Sequence, residues 1–556
     1  MHAHDRRGYT ALMHSLESPA ASADLVRLLL GHEDGLYPAG RRPYESDAAT
    51  LASLALGAGD PEKVTQLIEH GVDFHYSKAE GYDALLDAVH GRDVGRDPRL
   101  LDLLRILVAQ GVELNGVSAY GESGLRVLSY LGRFDAVRLL LDAGGDATQL
   151  QWTPLLRSVA LGTVDDVRRE IGAGAALESS DWWARTPWLL AIQAGDLAKA
   201  RLLRERGANL SARGRCGKPA LFYAIESHHT AMLGWLLETG ISISDTDEFG
   251  TTPLMYAADN DNEAALALLL QAGADVQYDK DGQTALSHAR TRAVAALLLD
   301  AGANPADLPF TARRGFLGLP ADPDETLLTA TVADFASGSA RRFGKSNPAP
   351  LNEPFCDGMV RAGINAYQAI QLFKGADARS PVWCAERFGQ SITFLPDGRV
   401  VQIAGEHEDH YDADFCIYND VFVHEPDGTI RIFGYPEAVF PPTDFHTATL
   451  VGRHIYIIGS LGYPGSREIG KTPLYRLDTR AWRIEALDAG GIGPGRIYGH
   501  RAKALASGAI RVCGGTIITS RDNAVSGGRE DHVPNNRCFD LDVGQLVWSE
   551  VFGSGD

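Results

Sequence analysis

A short pattern recurs nine times before residue 310, and its period leaves the chain few folds to choose from. The clearest copy reads Thr252-Pro253-Leu254-Met255-Tyr256-Ala257-Ala258, then Leu268-Leu269-Leu270-Gln271-Ala272-Gly273-Ala274-Asp275. Its first leucine, or a substitute, stands at Leu12, Leu51, Leu85, Leu125, Leu155, Trp188, Leu221, Leu254 and Leu286. From Leu155 onward the steps are 33, 33, 33 and 32 residues. A repeat this short cannot bury its own apolar face, so it must stack on its neighbours into a solenoid.

Each part of the pattern has a physical reason. The Thr252 hydroxyl can cap a helix, and Pro253 suits the first helical turn. Leu254, Ala257 and Ala258 then face inward at helical spacing, the alanines letting two helices lie close. After a break at Asp259–Asn262, Ala264 to Leu270 forms a second helix that Gly273 ends. The ending glycine recurs at Gly71, Gly111, Gly144, Gly174, Gly207, Gly240, Gly273 and Gly302. These two landmarks moving together resemble the ankyrin repeat. The resemblance implies an all-α ankyrin solenoid over about residues 1–308, whose hairpin fingers and concave side bind other proteins.

The copies are uneven. Steps of 39 residues from Leu12 to Leu51 and 40 from Leu85 to Leu125 place extra residues in the first and third repeats, in the third at His90 to Pro98. The 30-residue step from Leu125 to Leu155 implies a clipped hairpin.

Beyond Asn304 the helical pattern stops. Residues 309–387 read as a linker with a short helix at Asp324 to Phe335 and a second over Glu353 to Phe373, whose Met359, Val360, Ile364, Tyr367, Ile370 and Phe373 share a face. From Phe388 the period becomes that of strands. One unit runs Phe445-His446-Thr447, Ile455-Tyr456-Ile457-Ile458-Gly459, Leu474-Tyr475-Arg476-Leu477 and Trp482-Arg483-Ile484. Another runs Gly499-His500-Arg501, Ile510-Arg511-Val512-Cys513-Gly514-Gly515, Cys538-Phe539-Asp540-Leu541 and Val547-Trp548. An earlier one, from Gln390-Ser391 through Asn419-Asp420, has Ile430-Arg431-Ile432 in place of the tryptophan. The spacing of about 55 residues looks like the kelch repeat. That resemblance implies a kelch-type β-propeller or partial propeller over 388–553. Three blades are fewer than a closed ring uses, so a helical cap or self-association through the incomplete propeller is expected.

A formal charge of −20 over 556 residues argues against a general nucleic-acid or anionic-membrane surface. No apolar stretch reaches the length of a membrane span, and the polar N-terminus reads as lacking a signal peptide. Six scattered cysteines without a CxxC pair suit a reducing cytosol, hence a cytoplasmic protein. Arginine exceeds lysine and alanine and glycine abound, a usage that points to a GC-rich bacterial genome.

The densest polar cluster is Glu406-His407-Glu408-Asp409-His410-Tyr411-Asp412-Ala413-Asp414, in a loop after a strand. It reads either as a solvated acidic loop or as a metal-holding one; in a ring the blade-opening His446 and His500 would converge near the axis with His407, and a metal site there would use these three with His410. His228-His229 falls between two helices and reads as structural. The finger positions carry the better candidates for partner binding. Trp182, Trp183 and Arg185 occupy one tip, Arg213, Arg215 and Lys218 the next, and Asp247 and Phe249 the one after. Tryptophan and arginine are enriched where binding energy concentrates. The alternative is that either tryptophan packs on a neighbouring finger or on Trp188. The reading is a non-enzymatic protein–protein interaction scaffold or adaptor without a cofactor; the rival is a metal-dependent enzyme or ligand-binding site on the strand-rich half.

Overall fold

The computed structural model describes residues 9–18, 20–32, 45–91, 94–278, 283–351, 353–373, 381–407, 415–520 and 530–551. The chain divides into two compact units, Met1–Gly250 and Thr251–Asp556.

The first unit is a row of helix pairs. They are α1 (Ala11–Glu17) with α2 (Ala23–His32), α3 (Glu45–Gly57) with α4 (Pro61–Glu69), and α5 (Ala84–Val89) with α6 (Leu100–Gln110). Then follow α7 (Gly124–Tyr130) with α8 (Phe134–Asp142), α9 (Pro154–Leu161) with α10 (Val164–Gly172), α11 (Pro187–Gln193) with α12 (Leu197–Glu205), and α13 (Ala220–Glu226) with α14 (Thr230–Glu238). The recurrent leucine lies in the first helix of every pair and is at most 6% exposed. Thr10, Thr153 and Thr186 accept the amide N–H three residues on, at 3.2–3.5 Å, as N-caps should. All eight recurrent glycines have left-handed backbones, φ from 72° to 102°, a conformation that a Cβ would strain. The stretch between α5 and α6 contains the expected insertion, and Arg133 holds it by donating to the Val94 and Asp97 carbonyls at 3.1 and 2.9 Å. The clipped step appears as a single 3₁₀ turn, Ala147–Leu150, in place of a hairpin.

The second unit opens with α15 (Pro253–Asp259) and α16 (Glu263–Gln271), then a 3₁₀ turn at Leu286–His288 with α17 (Arg292–Asp300), and α18 (Phe310–Phe316). The segment expected as a linker also carries α19 (Val332–Gly338), β1 (Ala349–Pro350), α20 (Pro354–Ala362) and α21 (Ala366–Phe373). Where the periodicity predicts one helix over 353–373 there are two, because Gly363 turns left-handed at φ 66°. α17 and α18 dock on the strands that follow: Arg292 donates to the Gly398 carbonyl at 2.8 Å, and the Phe316 and Phe394 rings meet edge-on at 6.1 Å.

Three sheets follow, each built on a four-stranded antiparallel meander in chain order, two of them with a fifth strand on the outer edge. The first is β2 (Ser391–Phe394), β3 (Val400–Ile403), β6 (Val421–His424) and β7 (Ile430–Gly434), with β1 on its outer edge. Between β3 and β6 lies the two-stranded β4 (Glu406–His407) and β5 (Cys416–Ile417). The second sheet is β8 (Thr447–Val451), β9 (His454–Ile458), β10 (Leu474–Asp478) and β11 (Ile484–Ala486). Next come β12 (Gly490–Gly491), β13 (Arg496–Tyr498), β14 (Arg501–Ala504), β15 (Ile510–Cys513), β16 (Thr516–Ser520), β17 (Glu530–Pro534), β18 (Cys538–Asp542) and β19 (Val547–Glu550). Of these, β14, β15, β18 and β19 make the third meander, while β16 and β17 insert a hairpin paired to β13.

Alternation along the strands builds one core on each side of a sheet. Val421 and Val423 face Ile455, Ile457 and Trp482 of the second sheet, while Phe422 and Ile432 face the layer of α19 to α21. Tyr456 and Ile458 turn the other way, onto Ile510, Val512, Phe539 and Trp548 of the third. The described residues form no closed ring of sheets. Cys513 and Cys538, expected to be reduced, are directly opposed on β15 and β18 with Cα atoms 4.3 Å apart and joined by a disulfide. The inserted hairpin separates them by 25 residues in sequence, which hides the pair.

Candidate protein-binding surface

Four fingers of the first unit are tight hairpins. Lys78 N donates to Tyr82 O, Ser118 N to Glu122 O, Asp181 N to Arg185 O and Gly214 N to Lys218 O, at 2.7–3.1 Å. Successive fingers are tied by backbone hydrogen bonds: Ala119 N to Glu80 O, Trp182 N to Leu150 O, Arg215 N to Trp183 O and Glu248 N to Cys216 O, at 2.8–3.2 Å. This ladder fixes the spacing of the tips, so side chains on neighbouring fingers meet in a set register. Tyr120 and Phe249 are each 68% exposed along it.

At the centre lies an aromatic and cationic cluster. The Trp182 and Trp183 rings meet edge-on at 4.6 Å, and Tyr130, from the end of α7, lies 4.7 Å from Trp183. The Trp183 indole N–H donates to the Arg126 carbonyl at 2.7 Å. Two guanidinium groups close on the Trp182 indole, Arg126 at 4.4 Å and Arg215 at 4.0 Å from the ring centroid. Burial, and after it the charge of Arg215, push the Arg126 pKa down. Lys218 sits 4.8 Å from the Tyr130 ring and 2.7 Å from the Glu226 carboxylate. Burial acts to lower its pKa, but Glu226 and Tyr130 outweigh burial and raise it.

The other expected contact residues are placed differently from one another. Arg185 is 1% exposed, not at the surface: its guanidinium holds Asp181 at 2.5–2.9 Å, the Ser129 carbonyl at 2.6 Å, the Ser129 hydroxyl at 2.5 Å, and Gln193. Buried there, it shapes the finger and meets nothing outside the chain. Arg213 is exposed and bridges to the next finger through the Thr246 carbonyl at 2.6 Å and Asp245 at 3.4 Å. Asp247 caps its own turn by accepting the Phe249 amide at 3.0 Å. Arg126 and Tyr130 escape sequence reasoning because they stand on a helix more than 50 residues earlier, with ordinary helical neighbours. His229 packs beside Gly195 and reaches the Gln193 carbonyl at 3.1 Å, a bridge between repeats.

In the strand-rich half, His446 and His500 occupy equivalent places. Each stands one residue before the first strand of its sheet's meander and reaches back to the sheet before: His446 Nε2 to the Ser391 hydroxyl at 2.8 Å, His500 Nε2 to the Thr447 hydroxyl at 2.9 Å. Burial pushes both pKa values down to about 3. His407 is buried on β4, opposite Cys416. His410 and the rest of the acidic loop lie outside the described residues. Among the described residues no group of three or more His, Cys, Asp or Glu side chains is arranged to hold a metal ion. No described helix is long and apolar enough to cross a membrane.

Residues 240–307 match the family model for ankyrin repeats (3 copies). Among solved structures, the ankyrin repeat domain of Bcl-3, titled a unique member of the IkappaB protein family, is 29% identical over 34% of this chain and 89% of that one, with a TM-score of 0.26. No curated protein matches.

Proposed function

We propose that this ankyrin-repeat chain is a protein-binding scaffold or adaptor that engages its partner along the fingers of the first unit. The observation that carries this reading is the row of large side chains on adjoining tips, Tyr120, Trp182, Trp183, Arg215 and Phe249, exposed or half-exposed and held in register by backbone hydrogen bonds. Ankyrin repeats act mostly as binding modules, and a surface already rigid loses little conformational freedom on association. The three kelch-like sheets would offer a second surface, raising effective concentration if both engage one complex. On this reading the protein is no enzyme and needs no cofactor, while the Cys513–Cys538 disulfide removes the ground on which a reducing cytosol was expected.

Full-length protein crosslinked in extract of its own cells is expected to recover a partner that Tyr120→Ala with Phe249→Ala recovers at least about tenfold less, a loss of about 1.4 kcal/mol. Both side chains are exposed, so melting should be unchanged. Equal recovery by parent and variant would move the interface off the fingers and overturn the proposal.

A further inference from the structure

The cluster around Trp182 carries a charge arrangement that the chain itself leaves unanswered. The Arg126 and Arg215 guanidiniums lie against one indole, and like charges this close repel. Among the described residues neither guanidinium is within ion-pair distance of a carboxylate. The contrast with its neighbours is direct: Arg185 has Asp181, Lys218 has Glu226, and Arg213 has Asp245. Arg126 still holds two carbonyls, Gln149 O at 2.9 Å and Gly121 O at 2.6 Å. Arg215, exposed, makes one long hydrogen bond, to the Trp182 carbonyl at 3.4 Å. Stacking covers the flat face of a guanidinium and leaves its edge, where the N–H donors are, open to an anion.

We infer that this cluster is the anchor for an acidic segment of a partner protein, and that one carboxylate of that segment seats on the Arg215 edge. The inference rests on the finger-binding reading and names its chemistry. A carboxylate fits an exposed cation that has none within the chain, and the planar two-donor edge of Arg215 matches its two oxygens. The flanking surface says what else the segment carries. Tyr130 and Trp183 continue the aromatic floor, and Tyr120 stands exposed on a neighbouring finger, so apolar or aromatic side chains beside the acid would be covered as well. The chain's overall charge of −20 makes this local basic spot a selective feature, because an acidic partner is repelled everywhere that it is not matched.

Aromatic rings with arginines also suit single-stranded nucleic acid, whose bases stack and whose phosphates pair. The formal charge of −20 weighs more against nucleic acid, whose continuous phosphates run past the cluster onto repelling surface, than against a short acidic segment, and the test separates the two.

The full-length chain is titrated into a fluorescein-labelled copolymer of glutamate and tyrosine, with the glutamine–tyrosine copolymer and polyuridylate as comparisons, read by anisotropy. The expected result is saturable binding to the acidic copolymer alone, weakened about tenfold or more by Arg215→Gln and partly kept by Arg215→Lys, with rising salt weakening the parent more than Arg215→Gln. Arg215 is exposed and nearly unbonded, so its substitution leaves the fold in place, checked by an unchanged melting curve. Trp182→Leu should weaken binding by the same route. Equal binding by parent and Arg215→Gln overturns the inference. Stronger binding to polyuridylate through the same residue overturns it in favour of nucleic acid. If the crosslinked cellular partner is kept by Arg215→Gln yet lost by Tyr120→Ala with Phe249→Ala, acid recognition fails while the finger-binding reading stands.

Discussion

His446→Gln with His500→Gln should make the strand-rich half less sensitive to acid. Both imidazoles are buried between sheets, with folded pKa values near 3 against an ordinary 6.5. The folded state therefore binds fewer protons than the unfolded chain below pH 6.5. The stabilisation is complete above 6.5 and is lost as pH falls toward 3. Each unit of pH below 6.5 removes about 1.4 kcal/mol per histidine, so at pH 5 the pair together costs about 4 kcal/mol. His424, also pushed down to about 3 by burial and then by Arg292 and Arg361, adds a third group that the variant retains. Glutamine is the right replacement because the first sheet already has Gln390 at this register, one residue before the Ser391 that His446 meets. The assay is urea unfolding at pH 7.5 and pH 5, read by pulse proteolysis with fragments from residues 388–550 assigned by mass spectrometry. The parent should lose about 4 kcal/mol more than the double variant between the two pH values. A variant that loses as much as the parent would refute the burial argument for these two histidines.

Two further outcomes follow from buried or covalent contacts. Arg185→Ala strips the partner from Asp181, whose side chain is also 1% exposed, and should destabilise the first unit by about 3 kcal/mol or more in chemical unfolding; a loss under about 1 kcal/mol would mean that Asp181 is satisfied by its backbone donors alone. Cys513→Ala with Cys538→Ala should lower the stability of the oxidised protein by about 3.5 kcal/mol, from a closed loop of 25 residues, and dithiothreitol should bring the parent to the same value; no effect of the reductant would show that the bridge contributes nothing.

The period of the helical half was legible because each repeated position answers to one local requirement. Leu254 must be buried, Thr252 must cap and Gly273 must turn left-handed, whatever lies beyond the repeat. The strand pattern was legible for the same reason: Val421-Phe422-Val423 has apolar residues in succession, as a strand covered on both faces requires. What could not be read depends on partners distant in sequence. Trp182-Trp183-Ala184-Arg185 looks like one exposed tip, yet Arg185 turns inward because Ser129 and Gln193 are waiting for it. Arg126 joins the surface only because the α7 helix ends up beneath Trp182. The helices α20 and α21 were visible as an amphipathic pattern, but their target, Phe422 and Ile432, was not, and the short helix expected over 324–335 lies instead at Val332–Gly338.

Three sheets stacked in a row have two end faces, and the sequence treats them in opposite ways. The face of the first sheet is apolar and is covered: Phe422 and Ile432 meet Phe335, Phe355 and Met359 from the helices. The face of the third is polar. Along β15 and β18, Val512, Phe539 and Leu541 turn inward, while Arg511 and Asp540 turn outward and pair through two hydrogen bonds of 2.8 and 3.0 Å. Cys513 and Cys538 extend the same outward row, linked to each other. A further sheet packed there would have to desolvate an ion pair without gaining an apolar core, an exchange that burial disfavours. The first face needs a cover and has one, and the last needs none, so the row can stop at three sheets without a ring.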